Sequence, residues 1–419
     1  MKKTTTKKGA KKQAPTPQGG APLEYLINPE TGQPDPMMGV KYDWAAICRE
    51  YKKLGCPEEL FDPTTLPWGK VHYMHEVSPR GVGKTTCLLL FYLCAVKLYP
   101  GSKIAYIRQR AQMIERRQLN KLFDVIKAYD YISKLTDGKY NSVDYYARQW
   151  YYVLLDDDGK VLEKCPWTFM DCFDIDEWAT YKSTYNGPRT DFLLFDEMLG
   201  RIRDYRDGEF VDFCQIVSTI CRLRLSPTVV TLSNAIDIYS PYLKEFGIQK
   251  TFANLQEGSG TFVKTAKGTV QWCEYIGVKN KVRPVVNSAF YGFDNPLLTS
   301  ITGGSWAIEP YPHIWRDETR QVIQKGICLV YQENVLELEL CICESIGLHV
   351  CVHSLRKLPS NPLIIYTLDP PRSAKEVYGF GPKESPISRL IWYKLYPEAK
   401  WHFASDEEGQ IVDHFYNQA

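Results

Sequence analysis

The chain has 419 residues, 44% of them hydrophobic, and a formal net charge of +2. This length and composition suffice for a sizeable core and indicate two or three domains. No stretch of about 18 apolar residues occurs and the first residues lack a secretory signal core, which argues against a membrane-spanning or exported protein. Thirteen cysteines in such a chain are typical of reduced thiols in a cytoplasm-like compartment.

The first 23 residues predict a disordered basic tail. They contain six lysines and no acidic residue, in a segment with too few apolar groups to fold. The tail could contact nucleic acid or another acidic partner, or serve only as a solubilising arm. The rest of the chain is mildly acidic, so its composition does not indicate a general nucleic-acid-binding surface.

A phosphate-binding loop is predicted where the strand Val71–Val77 meets an apolar helix that begins near Cys87. An amphipathic helix, Tyr42–Tyr51, and a Pro-rich loop, Pro57–Trp68, precede this strand. Glycines at a strand-to-helix turn let backbone N–H groups curve around phosphate, and the helix N-terminus favours an anion. The residues predicted to bind nucleotide are Ser78, Arg80, Gly81, Val82, Gly83, Lys84, Thr85 and Thr86.

The P-loop pattern also predicts individual roles. Lys84 would reach the β- and γ-phosphates of a nucleoside triphosphate, and the Thr85 hydroxyl would take a Mg²⁺ position. Ser78 stands where the first glycine is usual and Pro79 follows it, which departs from the pattern. Trp68 could stack on adenine, although packing of its loop on the core is favoured.

A second buried strand is predicted at Lys103–Arg108, followed by a charged helix through about Lys127. Strand, helix, strand and helix in succession indicate a parallel sheet. Four arginines at the strand end and on the helix could meet phosphate, a neighbouring subunit or solvent: Arg108, Arg110, Arg116 and Arg117.

A hairpin is predicted next, with Tyr145–Leu155 as its first strand and Lys160–Leu162 as its second. The acidic segment between them, Asp156–Gly159, is interpreted as a turn. A calcium loop is not favoured, because no further carboxylates follow at calcium-loop spacing.

Two acids end the next apolar run, which begins at Asp191. At the carboxyl edge of a parallel sheet, Asp196 and Glu197 would both face the phosphate crevice. Asp196 is predicted to hold magnesium through water, and Glu197 to act as the general base that polarises an attacking water. Downstream of a P-loop, this pair favours hydrolysis over nucleotide binding alone.

A third apolar strand, Thr228–Asn234, ends in an amide. Asn234 is placed to sense the γ-phosphate or the attacking water. Arg222 and Arg224 precede the strand, and an arginine there could serve as a finger, because a planar guanidinium suits the spreading charge of phosphoryl transfer. An intramolecular salt bridge is the alternative.

The segment from Pro241 to Pro296 mixes lysines, glycines and aromatics and is predicted to be a lid or linker that could approach a nucleic-acid backbone. A second domain is predicted from about Ser305. Its strands are expected at 327–331, 335–343, 348–355 and 363–368, and a helix at 387–396.

The strand Val335–Cys343 alternates leucines with other residues, so one face should be core. If Glu344–Gly347 is a turn, five residues of zinc-ligand type share the opposite face: Cys341, Cys343, His349, Cys351 and His353. Adjacent strand positions rarely close a tetrahedron, so packed thiols and imidazoles are favoured over a metal site.

With these motifs in order, the chain resembles the DNA encapsidation proteins, the DNA-packaging ATPases of small podoviruses of the Picovirinae type. These are terminase-like P-loop motors with an extra strand and a catalytic glutamate. The likeness lies in Arg80–Lys84, Ala105–Arg108 and Cys221–Ala235. It covers most of residues 70–240 and, more faintly, the C-terminal domain. Lys182 resembles a lysine of that family at the subunit interface.

The resemblance implies an ATP- and Mg²⁺-dependent motor subunit that translocates double-stranded bacteriophage DNA into a preformed capsid. Its implied partners are DNA, further copies in a pentameric ring and the capsid portal or connector, with a packaging RNA left open and no membrane. It would work in the host cytoplasm, transiently on the portal vertex. The implied site residues are Glu197, Asn234, Lys182 and, as a finger from the neighbouring subunit, Arg222, with Thr85 and Asp196 at the metal.

The resemblance also implies a doubly wound α/β P-loop ATPase domain of the ASCE class and a smaller α+β C-terminal domain like a vestigial RNase H-type nuclease. The expected boundaries are a tail at 1–23, the ATPase domain at 24–240, a lid or linker at 241–300 and the C-terminal domain at 301–419. Asp369 ends a strand there without a convincing set of further acids.

Two alternatives remain open. One is a terminase large subunit with an active C-terminal nuclease, which would need clustered acids in that domain. The other is a nucleotide-dependent scaffold without meaningful turnover, against which Glu197 and Arg222 argue.

Overall fold

The computed structural model describes residues 23–185, 187, 189–200, 205–277, 279, 306 and 311–419, without the side chains of residues 183 and 184. These residues form two β-sheets with their covering helices. The predicted basic tail lies outside the described residues except for Leu23, and so does most of the segment 278–310.

The first sheet has nine strands in the order β3-β4-β5-β2-β6-β7-β1-β9-β8. They are β1 (Tyr73–Ser78), β2 (Lys103–Arg108), β3 (Ser142–Tyr146), β4 (Gln149–Leu155), β5 (Val161–Asp174), β6 (Thr190–Asp196), β7 (Thr228–Asn234), β8 (Ser259–Lys264) and β9 (Val270–Tyr275). The central strands from β5 to β9 run parallel, whereas β3, β4 and β8 are antiparallel to their neighbours.

Helices cover both faces of this sheet. They are α1 (Trp44–Lys53), α2 (Lys84–Leu98), α3 (Arg116–Leu119), α4 (Asp124–Ala128), α5 (Tyr131–Leu135), α6 (Trp178–Thr184), α7 (Glu209–Cys221), α8 (Pro241–Glu245) and α9 (Gln249–Asn254). Alternate residues of a strand point to opposite faces. On β6, Phe192 and Leu194 therefore pack in the core beneath α2, and Leu193 and Phe195 pack in the core beneath α7. The sheet is a mixed α/β sheet wound on both faces, as expected.

The strand β7 lies between β1 and β6. The strand that ends in Asn234 therefore separates the P-loop strand from the strand that ends in Asp196. This arrangement contains the extra strand that the resemblance implies. All three strands end at the same edge of the sheet because they run parallel.

Residues 142–155 form two strands, whereas the sequence predicted one strand from Tyr145. Ala147 and Arg148 form the turn between them with φ of 51° and 62°. Residues other than glycine rarely adopt positive φ, so the sequence carries no turn signal here. Arg148 is held by ion pairs of 2.7 Å to Asp174 and Glu177.

Two neighbouring predictions have opposite outcomes. The acidic segment before β5 is a turn, as predicted, in which Asp156 Oδ1 accepts hydrogen bonds from the backbone N–H groups of Asp158 and Lys160. The charged helix predicted through Lys127 is instead divided into a 3₁₀ turn, Ala111–Ile114, and the short helices α3 and α4.

The described part of residues 241–300 is not a linker, which corrects the predicted lid or linker. The strand β9 pairs with β1 in parallel, and β8 closes the edge of the sheet against β9. The buried Gln271 of β9 contacts His75 Nε2 at 2.9 Å. Cys273 and Tyr275 join the core beneath α7. The sequence did not reveal β9 as a strand, because its alternating pattern is only six residues long and its pairing partner β1 lies far earlier in the sequence.

The second sheet has the order β15-β14-β11-β12-β13-β16, and β10 also pairs with β12. Its strands are β10 (Gln321–Gln324), β11 (Ile327–Tyr331), β12 (Asn334–Cys343), β13 (Gly347–Leu355), β14 (Ile364–Thr367), β15 (Glu376–Tyr378) and β16 (Trp401–Phe403). The strands β11, β12 and β13 form an antiparallel meander, β14 and β15 continue parallel to β11, and β16 is parallel to β13.

One face of the second sheet carries the core. The helix α10 (Pro386–Leu390), which continues as a π-helical turn at Ile391–Leu395, and the helix α11 (Asp406–Gln418) pack there on Leu336, Leu338 and Leu340. The alternation read from the sequence is confirmed for these leucines, and Ile342 at the end of the same row is 43% exposed.

A buried polar contact joins the two parts of the molecule. Asp237, three residues after Asn234, accepts hydrogen bonds from His414 Nε2 at 3.0 Å and Gln410 Nε2 at 3.3 Å. All three side chains are buried. The loop after β7 is thereby attached to α11 of the C-terminal part.

Candidate active site

The P-loop connects β1 to α2, as the sequence predicts. Gly81 and Gly83 both have φ of +79°, a conformation that glycine adopts without steric cost. A Cβ at Gly83 would also lie 3.1 Å from the Leu60 side chain. The helix begins at Lys84, so its first free N–H groups face the loop and favour an anion there.

Lys84 is buried and bound from two sides. Its Nζ donates to Ser78 Oγ at 2.5 Å and to Asn234 Oδ1 at 3.1 Å. Ser78, the departure from the usual glycine, therefore supplies a hydroxyl that positions the lysine. Asn234 reaches the same ammonium group from the neighbouring strand β7.

Thr85 and Asp196 meet at the predicted metal position. Thr85 Oγ1 donates to Asp196 Oδ1 at 2.9 Å, and the Tyr106 hydroxyl donates to the other carboxylate oxygen at 2.8 Å. Burial raises the pKa of Asp196, and the nearby Arg108 opposes that rise. A hydroxyl and a carboxylate that converge in this way are the ligands Mg²⁺ takes beside a nucleotide, so the donor set fits the metal.

Glu197 follows β6 with φ of 55° and has a side chain that is 55% exposed. Its carboxylate accepts a hydrogen bond from the Arg108 guanidinium, which also lies 3.5 Å from Asp196 Oδ2. One arginine thus bridges both acids that the sequence singled out. Sequence reasoning missed this role for Arg108. The position of Arg108 at the end of a predicted strand was the available signal, but its role depends on the parallel pairing of β2 with β6.

Two other arginines of the cluster, Arg110 and Arg116, bind acids away from the predicted metal position. Arg110 Nη1 lies 2.8 Å from Glu209 and 3.2 Å from Asp176. Arg116 is exposed and pairs with Asp144 at 3.1 Å.

The P-loop and the carboxyl ends of β6 and β7 line a cavity of about 300 Å³ at the carboxyl edge of the first sheet. A second cavity of about 620 Å³ adjoins it through Arg80, Glu197 and Asn234. The first cavity is lined by Arg80, Gly81, Val82, Gly83, Lys84, Thr85, Thr86, Asp196, Glu197, Leu232, Ser233 and Asn234. Residues from three strand ends, far apart in sequence, therefore surround one space.

Arg222 lies at the opposite edge of the sheet. It follows α7 and precedes β7, whose seven residues span about 20 Å before they reach Asn234. Its exposed guanidinium donates to the Tyr185 carbonyl at 2.8 Å. Its backbone has φ of 51° and ψ of −118°, which is strained for a residue with a side chain. Within one chain, Arg222 does not join the cavity.

Arg224 has the internal salt bridge that the sequence left as an alternative. Its Nε donates at 3.0 Å to Asp191, which is almost fully buried, and its Nη2 donates to the carbonyls of Thr190 and Ile220. Arg224 therefore braces the start of β6 rather than projecting from the surface.

Lys182 is exposed on α6, and its Nζ lies 5.6 Å from the centre of the Trp178 ring. It is outside the cavity. Tyr185, three residues further on, is the residue whose carbonyl binds Arg222, so the two predicted interface cations lie in the same region.

Trp68 packs on the core, which is the interpretation the sequence favoured. Its ring stacks between Trp44 at 4.9 Å and Phe91 at 4.7 Å, and its Nε1 donates to the Pro63 carbonyl at 2.7 Å. Only 8% of the residue is exposed.

A buried carboxyl pair lies on β1 and β9. Glu76 is fully buried and is the register partner of Glu274. Burial and, next, the proximity of Glu274 raise the pKa of Glu76 well above that of an ordinary carboxyl group, while Lys84 opposes the rise. The sequence gave no reason to single out this pair, because their contact depends on the pairing of β9 with β1.

The hairpin of β12 and β13 carries the five predicted cysteines and histidines on one face. Three of them come together: ligand atoms of Cys341, His349 and Cys351 lie within 4.8 Å of one another. Cys343 contacts the Ser345 hydroxyl at 3.2 Å and His349 Nδ1 at 3.9 Å, and His353 lies 3.5 Å from Glu339.

Among the described residues, no helix has the length and apolar character needed to cross a bilayer.

No protein-family model matches the chain, and no curated protein matches its sequence. Solved structures do share its fold. A chain of the bacteriophage Phi-29 viral genome packaging motor assembly has a TM-score of 0.51 at 14% identity, covering 86% of this chain and 99% of that one. The Phi-28 gp11 DNA packaging motor has a TM-score of 0.49 at 15% identity, covering 86% and 98%. The likeness to the Phi-29 chain shows that the two chains share a mixed α/β fold.

Proposed function

We propose that this chain is the ATP-hydrolysing subunit of a motor that translocates double-stranded viral DNA into a preformed capsid. The observation that carries the proposal is the convergence of Lys84, Thr85, Asp196, Glu197 and Asn234 on one cavity. These are the groups that phosphoryl transfer to water requires, and they occur in a chain with the fold of a Phi-29 packaging motor component.

The roles follow from the contacts. Lys84 binds the β- and γ-phosphates in exchange for its present partners, Ser78 and Asn234. Glu197 holds the attacking water and accepts its proton, because its half-exposed carboxylate borders both cavities. Asn234, released by Lys84 as phosphate binds, can donate to the γ-phosphate or the water.

Thr85 and Asp196 would hold Mg²⁺, Asp196 through water. The bound ion neutralises charge that develops on the phosphate oxygens. Tyr106 and Arg108 keep the Asp196 carboxylate in one orientation through its second oxygen. Arg108 also sets the direction of Glu197, so a single residue positions both acids.

We propose that Arg222 completes the site of a neighbouring subunit. Its distance from the cavity of its own chain excludes a role in cis, and its strained backbone is the kind of feature that functional positions retain. Its single described side-chain hydrogen bond goes to an exposed carbonyl, so little holds it in place. Leu223 and Leu225 beside it are 73% and 52% exposed, as expected of a surface that meets another protein. Lys182 belongs to the same proposed interface.

The domain organisation is also a proposal. The ATPase domain would extend from residue 24 through β9, and the C-terminal domain would occupy the chain from about residue 301 to 419. We propose that the latter is a reduced RNase H-type fold, supported by its antiparallel meander with β14 and β15 added parallel to β11. The strand β11 carries no acidic residue, which favours a domain without nuclease chemistry.

The partners follow from the proposed activity. Shared sites require a homo-oligomeric ring, for which we propose five subunits. The ring would bind double-stranded DNA and the capsid portal and would act in the host cytoplasm. The likeness to a chain of the Phi-29 viral genome packaging motor assembly supports this proposal.

Mixed rings test the shared site. Arg222→Ala and Glu197→Gln subunits should each be inactive alone, whereas mixtures should recover part of the DNA-stimulated phosphate release, because some interfaces then combine an intact Glu197 with an intact Arg222. Arg117→Ala is the control. Arg117 does not line the cavity, so this variant should stay active. Absence of recovery at every mixing ratio would contradict the assignment of Arg222 to the neighbouring site.

Cleavage assays address the alternative of an active nuclease. The purified protein with Mg²⁺ or Mn²⁺ should leave plasmid DNA intact while it hydrolyses ATP. Cleavage that survives the Glu197→Gln substitution would support a terminase large subunit instead.

A further inference from the structure

We propose that the C-terminal sheet contains a structural Zn²⁺ site formed by Cys341, His349, Cys351 and His402. The first three are buried, and their ligand atoms lie within 4.8 Å of one another. Cys341 and His349 are direct partners in the β12–β13 register, and Cys351 follows His349 on the same face. Two thiolates and two imidazoles are a ligand set typical of structural zinc.

His349 has the hydrogen bonding of a metal ligand. Its Nδ1 lies 2.9 Å from the Gly347 carbonyl, which fixes the proton on Nδ1. Its Nε2 is therefore a lone-pair acceptor, yet this atom is buried and no donor among the described residues reaches it. Histidines that bind a metal through one ring nitrogen usually donate a hydrogen bond from the other to a carbonyl or carboxylate, which fixes the ring orientation.

His402 supplies the fourth ligand. It is the parallel register partner of Cys351 on β16, so its side chain lies on the same face of the sheet. Its ring centre is 5.7 Å from that of His349 and perpendicular to it. Its Nδ1 is also buried without a hydrogen-bond partner in the described part of the chain. Two imidazole nitrogens thus lack a partner on one face of one sheet.

The spacing needs only small adjustments. Tetrahedral Zn²⁺ with bonds of about 2.3 Å to sulfur and 2.0 Å to nitrogen requires ligand atoms about 3.3–3.8 Å apart. The ligand atoms of Cys341, His349 and Cys351 already lie within 4.8 Å of one another, so they need to approach by roughly 1–1.5 Å at most, and the His402 ring would turn towards them.

Charge and packing around the four residues favour this ion. A zinc ion with two thiolates and two neutral imidazoles has no net charge, so its burial costs little electrostatic energy. Trp315 covers the site, with its ring centre 4.6 Å from that of His402 and 5.8 Å from that of His349. The Arg320 guanidinium lies over the Trp315 ring, 4.8 Å from its centre, and adds positive charge that favours thiolates.

The site would cross-link three strands where apolar packing is thin. The helices α10 and α11 cover the opposite face, whereas this face is covered by the segment that carries Trp315 and Arg320. Bonds from β12, β13 and β16 to one ion would hold this sheet together in place of a second hydrophobic layer.

Metal binding to the reduced full-length chain tests the proposal without nucleotide, so its outcome is independent of the proposed motor activity. Protein freed of metal with a chelator is titrated with Co²⁺ and then Zn²⁺. We expect one ion per chain, with thiolate-to-cobalt charge-transfer absorbance and the strong visible bands of tetrahedral Co²⁺, and displacement of Co²⁺ by Zn²⁺. Absence of stoichiometric binding would overturn the site.

Variants on the same hairpin assign the ligands. Cys341→Ser and Cys351→Ser should each weaken Co²⁺ affinity at least about tenfold and reduce the charge-transfer band. His402→Gln should weaken affinity similarly while that band persists. Cys343→Ser is the matched control: its Sγ lies 3.9 Å from His349 Nδ1 but outside the cluster of ligand atoms, so this variant should bind like the original protein. Equal losses for Cys343→Ser and Cys351→Ser, with unchanged circular dichroism, would contradict the assignment, as would unchanged binding by His402→Gln for the fourth ligand.

Discussion

The two sheets collect reactive side chains in different ways. In the first sheet, parallel strands bring Lys84, Asp196 and Asn234 from distant segments to one edge, where each already has a partner. In the second sheet, two adjacent antiparallel strands and β16 bring cysteines and histidines to one face, where His349 Nε2 and His402 Nδ1 have no hydrogen-bond partner in the described part of the chain. The first arrangement suits a ligand that exchanges in every cycle, and the second suits an ion that stays.

In the first sheet, the largest expected effect comes from removing the ion pair between Arg108 and Glu197. Arg108→Gln should lower kcat about 100-fold, or about 2.7 kcal/mol in barrier height, because Glu197 and Asp196 lose their common positioning group. KM for ATP should change little, since Arg108 does not line the cavity. Steady-state kinetics measures both parameters.

Two further variants sharpen this test. Arg108→Lys should recover part of kcat because the charge is retained, and Arg116→Gln, at an exposed ion pair, should behave like the original protein. A fall in ATP affinity with unchanged kcat would mean that Arg108 binds nucleotide instead of positioning the acids.

The carboxyl pair Glu76 and Glu274 lies in the first sheet, and neither oxygen of Glu76 has a hydrogen-bond partner among the described residues. Because the pKa of Glu76 is raised on folding, the folded state keeps a proton that the unfolded state releases above pH about 4.5. Stability should therefore fall as pH rises from about 4.5 towards the raised pKa, by up to about 1.4 kcal/mol per pH unit. Glu76→Gln, whose amide can donate to Glu274, should flatten this dependence and raise the melting temperature at pH 8.

Thermal unfolding at pH 5, 6.5 and 8 checks this expectation. Glu384→Gln, an exposed position, is the control and should keep the slope of the original protein. If Glu76→Gln has the same pH dependence as the original protein, the buried pair does not hold an extra proton.

The contact between the two regions should have the smallest effect. His414→Phe keeps the ring volume but removes the hydrogen bond to Asp237, which retains Gln410 as a donor. The expected loss is about 1 kcal/mol of unfolding free energy. Urea denaturation measures it, with His313→Phe, which removes a solvent-exposed hydrogen bond to Asp406 and should cost less, as the control. An increase in stability would show that burying His414 beside Asp237 costs more free energy than their hydrogen bond contributes.

Much of the candidate site could be predicted from the sequence. Lys84, Thr85, Asp196, Glu197 and Asn234 each follow an apolar run, and side chains at the ends of parallel strands meet at one edge. Arg108 stood at such an end as well, but its role depended on β2 being the neighbour of β6. Strand adjacency is a property of the sheet that no local pattern records.

The more detailed predictions were correct where they depended on a local pattern and incomplete where they depended on tertiary contacts. The five cysteines and histidines of the hairpin were correctly assigned to one face, because alternation is a local property. Which of them approach each other depended on side-chain direction and on β16, a strand of three residues that the sequence did not reveal. The turn at Ala147 and Arg148 was missed because neither residue type signals positive φ.

The sequence by itself determined the phosphate-binding loop, the acids and amide that accompany it, and the alternating core of the C-terminal sheet, because periodicity and strand ends are encoded in neighbouring residues. Only the tertiary structure decided that β9 lies against β1, that Arg108 bridges two acids and that Arg222 lies at the far edge from its own cavity. These features depend on which distant segments pack together, and that choice is made by burial of the whole core.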